Sequence, residues 1–511
     1  MLLQRDQYLA SAMPTRRPRL WLCAIVLVHL LLAASFSRII YPIDDEAYYA
    51  SSAANLVMKG HFGTTTYETH LLPNLERHSY WIVPVYPILL AGWFRVVGVG
   101  LWEQRLLSVL FGGLAVWAWY RIALALSGSI RIALGAAALV ALDHTLLSAA
   151  NGRPDLMGHA WGVIGIAAYL SYRETSLRWA CCLGYLGAAL AGMSHPLPGV
   201  LAFANISLLV VLLDRRRFDL RALAAAIAPF AVGVVALALY VHPNWQEAYH
   251  QFRWNATWTN PEGGPGRLIG GQHLLSTWWR VAGFVVAEFT PPPDGSAAGW
   301  IKLLVPLTYA VAVVLSLAVP AVRSTPALRI LLALGLADCI LLPVIAAYHK
   351  WQYYMHILIL FPLIVVLVLA ALSRARSYFL LASFAVLIGG VVLVQAARIV
   401  HSLKQDSLGT RYEPSAARLR QPPFDKGTFW GKAYWAYAVG LDRLTEDNAF
   451  GYFSHKRKDF LLLSLDQPGG KGDMPKGDKG EYVVGMLARE YTLVYENQTI
   501  RVYAKRRPGG F

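Results

Sequence analysis

Residues 41–46 of the chain read Tyr-Pro-Ile-Asp-Asp-Glu and directly follow an apolar run at residues 20–40. A run of about 20 apolar residues is long enough to span a bilayer as a helix. Asp44, Asp45 and Glu46 therefore stand where the chain is expected to leave the membrane. Adjacent carboxylates raise one another's proton affinity and attract cationic groups, so this placement indicates either a functional site or a solvated helix start capped by Asp44 or Asp45.

The composition is that of a polytopic membrane protein. Of the 511 residues, 56% are hydrophobic, 15% are charged and 17 are Trp. A water-soluble core could not hide so much apolar surface. The four cysteines lie in apolar runs, which is typical of core packing rather than of disulfides or a CxxC metal site. The basic N-terminus without a small-residue cleavage site predicts an uncleaved signal anchor.

Further apolar runs recur along the first 400 residues and, with the first run, predict about 11 transmembrane helices. They lie at 103–126, 131–150, 156–172, 177–194, 197–213, 222–241, 299–320, 327–347, 352–372 and 377–399. Residues 80–98 could make one more, but their two prolines and aromatic ends favour an interfacial or re-entrant helix. With 80–98 not crossing, the short arginine-rich loops all fall on the side of the N-terminus, as the positive-inside rule requires.

This topology predicts a multi-pass protein of the cytoplasmic membrane whose polar loops lie outside the cell membrane. The outer parts are a first loop at 41–102 with two interfacial helices, a long aromatic-rich loop at 242–298, and residues 401–511. The net charge of +16 is then largely arginine facing anionic lipid on the inner side. Binding of nucleic acid is therefore not indicated.

Residues 401–511 differ in character from the transmembrane domain at 1–400 and predict a small extracytoplasmic α/β domain. Runs typical of short strands begin at Phe460, Glu481, Tyr491 and Thr499. Residues 430–444 favour a helix. No pattern in this domain indicates catalysis.

Other polar residues of the predicted outer side are candidates for binding. Asp155 could face the acidic cluster as a second acid, with Arg153 binding a phosphate or carboxylate through its two-pronged guanidinium. The same residues also suit the start of a helix, because Pro154 fits the first turn and Asp155 the helix dipole. Asp45 and Glu76, with nearby histidines, could bind a divalent cation, although no spacing here is diagnostic.

Two more polar pairs leave alternatives open. His349 and Lys350 lie among aromatic residues at an outer end, where they could bind a phosphate or simply anchor the helix at the interface. Asp143 and His144 lie within a predicted span, and an ionisable pair there usually faces a cavity or a partner. That second pair favours an alternative function, a transporter or a flippase for lipid-linked sugars, although no internal repeat is evident.

Four short motifs carry a family resemblance. They are Asp45-Glu46-Ala47-Tyr48-Tyr49-Ala50 after the first span, Glu76 before a proline-containing interfacial helix, Arg105-Leu106-Leu107-Ser108 opening the second span, and Arg153-Pro154-Asp155. In order, spacing and side of the membrane, they resemble the GT-C glycosyltransferases, in the bacterial branch related to protein O-mannosyltransferases and the lipid A aminoarabinose transferase. The aminoarabinose transferases usually have Arg at the position of Tyr48 and Lys-Pro-Pro where this chain has Arg77-His78-Ser79.

The resemblance implies a GT-C fold and a transferase that takes a sugar, a hexose or a pentose, from a polyprenyl-phosphate donor at the membrane. The acceptor would be a glycan, a lipid or a protein outside the cytoplasmic membrane. Asp45 would occupy the catalytic acidic position and activate the acceptor oxygen, with Asp155 and Glu46 as further catalytic candidates. The candidates for substrate binding are Asp44, Tyr49, Glu76, Arg77, Arg153, His349 and Lys350.

Overall fold

The computed structural model describes residues 16–69, 72, 74–258, 279, 302–345, 351–447, 449–465, 474–475 and 477–506. Within these ranges the chain is mainly helical, with a small sheet near its C-terminal end. His349, Lys350 and most of the loop at 242–298 lie outside the described residues.

The first apolar run forms α1 (Arg16–Ile39), and the acidic stretch begins α2 (Asp44–Lys59). The helices that follow are α3 (Val85–Val97), α4 (Leu101–Ser127), α5 (Ile130–Ala141), α6 (His144–Ser148), α7 (Pro154–Tyr172), α8 (Leu177–Ser194), α9 (Pro196–Leu209), α10 (Leu220–Val241) and α11 (Trp245–Trp258). After the next described residues come α12 (Leu304–Ala318), α13 (Pro320–Arg323), α14 (Pro326–Ile345), α15 (Met355–Leu358), α16 (Leu360–Arg374) and α17 (Tyr378–Lys404).

The predicted apolar runs are mainly helical where the structure describes them, which confirms the membrane-protein class. Seven helical segments of the described chain are long and apolar enough to cross a membrane, judged by length and composition alone. These are Arg17–Ile39, Leu101–Ser127, Pro196–Asp214, Leu220–Trp254, Pro326–Ile345, Met355–Arg374 and Tyr378–Leu419. At 13 residues, α3 is shorter than a spanning helix, as expected for an interfacial helix at 80–98. The total of about 11 crossings stays a prediction.

The run at 131–150 is not the single helix that its hydropathy predicted. The chain leaves α5 at Ala141, and Asp143 caps the short helix α6 by accepting from the backbone N–H of Thr145 at 2.9 Å and of Leu146 at 3.3 Å. His144 Nε2 lies 3.1 Å from Ser402 Oγ of α17. Both residues of the ionisable pair therefore have structural partners.

Small residues let α7, α8 and α9 pack backbone against backbone. A Cβ atom at Gly187 of α8 would lie 2.5 Å from the Cα of Gly165 in α7, and a Cβ at Gly199 of α9 would clash with Gly192 of α8. Such close approach is typical of helix packing in membranes. It fixes the N-terminus of α7, which carries Asp155, against the junction of α8 and α9.

The C-terminal part folds around a five-stranded sheet of order β2-β1-β3-β5-β4. The strands are β1 (Phe429–Trp430), β2 (Leu444–Thr445), β3 (Phe460–Ser464), β4 (Tyr491–Glu496) and β5 (Ile500–Lys505), and the helices are α18 (Glu413–Leu419), α19 (Ala436–Val439) and α20 (Asp478–Glu490). Strand β1 pairs in parallel with β2 and β3, whereas β5 pairs antiparallel with β3 and β4. The predicted strands from Phe460, Tyr491 and Thr499 are thus confirmed, and the predicted α/β character with them.

Two local predictions in this part need correction. The run from Glu481 was predicted as a strand but belongs to α20, because Val483 and Met486 are buried on one helical face while Val484 is 57% exposed. Residues 430–444 are not one helix: the 3₁₀ turn Ala433–Trp435 and the short α19 connect β1 to β2.

The C-terminal sheet docks on the first loop, after α2, through backbone hydrogen bonds. Glu446 N donates to Thr66 O at 2.8 Å, and Glu68 N donates to Glu446 O at 2.9 Å, so the loop extends the sheet beyond β2. A side-chain bond from Thr65 Oγ1 to Leu441 O at 2.8 Å adds to this contact. The docking brings residues of the C-terminal part to the start of α2. The domain boundary at residue 400 stays a prediction. The helix α17 continues past this position to Lys404.

Candidate active site

The acidic stretch forms the first turn of α2, but its cap differs from the prediction. The N-cap residue is Ile43, not Asp44 or Asp45, and its backbone N–H donates to Glu46 Oε2 at 2.9 Å. Successive residues of a helix point about 100° apart. Asp44, Asp45 and Glu46 therefore reach three different sets of partners.

Glu46 is held inside the protein by Arg105 of α4. Arg105 Nε and Nη2 donate to the two Glu46 carboxylate oxygens at 2.7 and 2.8 Å, and the side chains are 1% and 0% exposed. Gly152 N donates to the same carboxylate at 2.7 Å. Both Glu46 oxygens are thus bonded within the protein, and its predicted catalytic role stays a prediction.

The loop before α7 is locked against α2 and α4 around Gly152. Gln104 Nε2 donates to the carbonyl oxygens of Glu46 and Gly152, and Tyr86 Oη donates to Gly152 O at 2.8 Å. A Cβ atom at Gly152 would lie 2.7 Å from the side chain of Gln104. These contacts fix the backbone just before Arg153.

Arg153 bridges two of the predicted site acids. It is the N-cap residue of α7, with Pro154 at the first helical position as predicted. Its Nη1 donates to Asp45 Oδ2, and its Nε donates to Asp155 Oδ2 at 2.7 Å. Burial alone would lower the pKa of Arg153, but the Asp155 and Asp45 carboxylates together raise it well above its usual value.

Within this bridge, Asp45 is the accessible carboxylate. Its side chain is 31% exposed, whereas those of Arg153 and Asp155 are 3% and 2% exposed. The second oxygen of Asp155, Oδ1, lies 3.7 Å from His195 Nε2 at the junction of α8 and α9. Asp155 is therefore placed to hold Arg153, and Arg153 to hold Asp45.

Asp44 faces the C-terminal part. Tyr434 N donates to Asp44 Oδ1 at 3.3 Å, and Lys432 Nζ lies 4.0 Å from Asp44 Oδ2. The same lysine donates to Glu446 Oε1 at 2.7 Å, and Tyr48 Oη donates to Glu446 Oε2 at 2.7 Å. Burial, followed by the nearby Glu446 carboxylate, raises the pKa of Asp44 well above its usual range.

Lys432 and Glu446 were not predicted from the sequence, because no catalytic motif marks the C-terminal part. Tyr48 was known only as a departure from the family pattern, and it is the residue that reaches Glu446. Only the predicted topology could have suggested this contact, because it places both the first loop and the C-terminal part on the outer side of the membrane.

Aromatic side chains line the same region. The ring of Tyr49, a predicted binding residue, packs edge-on against Tyr86 at 5.5 Å between centroids, and burial followed by Asp45 raises the pKa of Tyr49 well above its usual value. Tyr48 packs against Tyr67 at 5.2 Å and Trp81 at 6.0 Å. Aromatic faces beside carboxylates are suited to a sugar, whose rings offer both C–H faces and hydroxyl groups.

Glu76 and Arg77 lie apart from the Arg153 bridge. Both side chains are exposed, in a turn whose backbone packs against Gly63, and Glu76 makes no hydrogen bond or ion pair with the described residues. The described chain contains no group of three or more His, Cys, Asp or Glu side chains that could hold a metal ion. Asp45 and Glu76 thus lack a further ligand among these residues, and the divalent cation stays a prediction.

Comparison with known proteins gives the class of fold. Neither a protein-family model nor a curated protein matches the sequence. Among solved structures, ArnT from Cupriavidus metallidurans bound to undecaprenyl phosphate superimposes with a TM-score of 0.62 at 13% identity, covering 94% of this chain and 97% of ArnT. The oligosaccharyltransferase of Archaeoglobus fulgidus tethered to an acceptor peptide gives a TM-score of 0.54 at 13% identity, covering 93% of this chain and 69% of the enzyme.

The chain therefore has the fold of the GT-C glycosyltransferases, as the motifs predicted. At 13% identity the similarity establishes the architecture and not the substrates.

Proposed function

We propose that the protein is a glycosyltransferase that moves a sugar from a polyprenyl-phosphate donor to an acceptor at the extracytoplasmic face of the cytoplasmic membrane. The observation that carries this proposal is the Asp45–Arg153–Asp155 bridge. It holds one carboxylate, 31% exposed, where the first turn of α2 meets the N-terminus of α7. The GT-C fold supports it independently.

In the proposed reaction, the acceptor oxygen attacks the anomeric carbon of the donor sugar as the bond to the phosphate oxygen breaks. The acceptor proton passes to a carboxylate oxygen of Asp45, and the polyprenyl phosphate leaves with the bonding electrons. The attack requires a base aimed at the acceptor and cations at the departing phosphate. Arg153 orients the base by fixing Asp45 Oδ2, while the Asp45 side chain as a whole stays 31% exposed.

The residues that meet the phosphate are assigned by chemistry. The Arg153 guanidinium donates to the carboxylates of Asp45 and Asp155, so its role in the proposal is to position Asp45. Arg77, His349 and Lys350 are the remaining basic candidates of the predicted outer side, and Arg77 is exposed. In this assignment the base and the phosphate-binding groups are different residues, as an inverting displacement requires.

In this proposal the C-terminal part contributes to acceptor binding. Asp44 and Lys432, 28% and 20% exposed, offer a carboxylate and an ammonium group, and the buried Glu446 carboxylate holds Lys432 in place. A carboxylate beside an ammonium group suits a hydroxylated sugar, because each sugar hydroxyl can both donate and accept a hydrogen bond.

The transport alternative loses its main support. It rested on Asp143 and His144 within a predicted span, and these residues cap α6 and contact α17. Reconstituted vesicles decide between the two functions: robust substrate flux without a glycosidic product would favour transport.

The test begins with the product, because the sugar and acceptor are unidentified. Mass analysis of glycolipids, polysaccharides and proteins from a deletion strain, compared with the parent, is expected to show the loss of one sugar modification. Complementation with the wild-type gene restores it. The Asp45→Asn variant is expected to restore less than about 1% of the product, since loss of a general base costs on the order of 100-fold or more.

Two further variants make that result specific. Glu496→Gln alters an exposed carboxylate of the C-terminal sheet, 41% exposed and paired with Arg501, and should restore the product fully. Asp44→Asn should lower product formation less than Asp45→Asn does. Wild-type turnover by an inserted Asp45→Asn protein would overturn the assignment of Asp45 as base.

The predicted divalent cation has its own test. A cation bound by Asp45 and Glu76 would make sugar transfer sensitive to a chelator and to Glu76→Gln, with recovery on adding back the metal. Transfer that persists unchanged in chelator would leave Arg153 as the charge partner of Asp45.

A further inference from the structure

A cavity of about 310 Å³ lies behind the Glu46–Arg105 pair, and none of the residues that we place at the transfer chemistry lines it. Arg105 forms part of its wall. The rest comes from the last turn of α1, the first turn of α4 and the segment at 408–420 with Tyr437. The volume is at the lower end of the range in which proteins bind small molecules and headgroups.

Two opposite charges in this wall have no ion-pair partner among the described residues. The guanidinium of Arg38 lies 4.3 Å from the centroid of the Trp102 ring, and it makes no hydrogen bond or ion pair with the described residues. The carboxylate of Glu103 folds back over Gly100 and likewise has no hydrogen-bond or ion-pair partner among the residues that the structure describes. A ligand with one negative and one positive group would satisfy both.

A second arginine stands at the same cavity. Arg420 Nη1 lies 3.1 Å from Glu413 Oε2, and the two side chains are 48% and 43% exposed, so this pair is open to solvent. A guanidinium that shares one carboxylate in water still has N–H groups to donate to a phosphate.

The position of the cavity relative to the membrane points to a lipid. Arg38 lies in the last turn of the apolar helix α1, and Trp102 lies in the first turn of α4, so both are at the end of a helix long enough to span. Tryptophan and arginine at such ends lie at the level of the lipid headgroups. A phosphate there is already at high local concentration.

We propose that this cavity binds the headgroup of a zwitterionic phospholipid with a primary amine, from the leaflet on the same side as Asp45. Its phosphate lies between Arg38 and Arg420, and its ammonium group donates to Glu103. Because the walls come from both the membrane helices and the segment at 408–420, the bound lipid braces the C-terminal part against the membrane part. This binding site is independent of the proposed sugar transfer.

The test uses the purified full chain in detergent and short-chain phospholipids as probes. The midpoint of thermal unfolding is titrated with dioctanoyl phosphatidylethanolamine, phosphatidylcholine, phosphatidylglycerol and inorganic phosphate. A ligand that binds only the folded chain stabilises it by RT ln(1 + [L]/Kd), so the rise of the midpoint with ligand concentration gives the apparent Kd. Phosphatidylethanolamine is expected to act with an apparent Kd about tenfold or more below those of the other three.

Variants locate the site. Arg38→Gln is expected to weaken the response to phosphatidylethanolamine about tenfold. Glu103→Gln should abolish the preference for phosphatidylethanolamine over phosphatidylglycerol while retaining phosphate-dependent binding. The matched control is Arg95→Gln, which removes an exposed arginine of α3 outside the cavity and should leave the Kd unchanged.

Each contrary result removes part or all of the proposal. Equal responses to phosphatidylethanolamine and phosphatidylglycerol would overturn the Glu103 contact. An equal response to inorganic phosphate would overturn the lipid assignment, and no response to any probe would overturn the site. The lipid series on the wild-type chain decides these points even if a variant fails to fold, and none of the readouts depends on sugar transfer.

Discussion

Arg105 and Glu46 form a two-pronged ion pair that joins α4 to the first turn of α2, with N–O distances of 2.7 and 2.8 Å and almost no exposure to solvent. The remaining Arg105 nitrogen, Nη1, donates to the carbonyl oxygens of Ser37 and Ile40, so the end of α1 joins the same unit. This unit sets the orientation of α2. The direction in which Asp45 points depends on it.

Glu46→Gln is expected to destabilise the protein by about 3–5 kcal/mol, because Arg105 would keep its buried charge without a counter-charge. The measurement is the free energy of unfolding in detergent by chemical denaturation. Glu496→Gln breaks an exposed pair with Arg501 and should leave the free energy of unfolding almost unchanged, because solvent screens this pair. A Glu46→Gln protein with wild-type stability and no sugar transfer would instead make Glu46 catalytic.

Arg153→Gln should also cost about 3–5 kcal/mol, since it leaves the buried Asp155 carboxylate without its partner. Adding Asp155→Asn should recover at least about 1 kcal/mol of that loss, because the neutral amide tolerates burial better. Sugar transfer should stay low in both variants, as neither holds Asp45. Strictly additive destabilisation in the double-mutant cycle would show that the two residues do not form the pair described.

The stability of the protein should depend on pH through Asp44. Its raised pKa means that the folded state binds this proton more tightly than the unfolded state, so the Asp44 contribution is present at low pH and is lost as the pH rises through the folded pKa. Asp44→Asn removes this loss. The unfolding midpoint of Asp44→Asn relative to wild type should therefore increase from about pH 4 towards neutral pH.

A constant difference between the Asp44→Asn and wild-type midpoints over that pH interval would contradict the raised pKa. Glu68→Gln, which removes a carboxylate paired with the 58% exposed Lys456, is measured alongside as a comparison.

Lys432→Met tests whether the C-terminal part contributes to the site. Lys432 is 20% exposed, donates to Glu446 and lies 4.0 Å from Asp44, so in the proposed site its loss should reduce kcat/KM about tenfold, mainly through KM. Lys456→Met removes a lysine from the same docking region but on its exposed rim. Equal effects of the two variants on KM would place Lys432 outside the substrate site.

Hydropathy and local motifs predicted most of the helices and the helix start that carries Asp155. The apolar runs became helices because an unpaired backbone is too costly in a bilayer. The Arg153-Pro154-Asp155 motif became a helix start, since proline and an acid both suit that position. The failures were local alternatives of similar energy: hydropathy did not reveal that Asp143 interrupts its run, and the short apolar stretch after Glu481 fits a strand or a helix equally well.

The sequence by itself determined the membrane class, the GT-C architecture and the segments that carry the candidate acids, because these follow from local composition and from short motifs. Only the tertiary structure separated the roles of the three neighbouring acids at the start of α2. Glu46 turns inward to Arg105, Asp45 meets Arg153, and Asp44 meets Lys432 of the C-terminal part. Charge partners this distant along the chain are chosen by helix packing and by docking of the sheet, so no local pattern could name them.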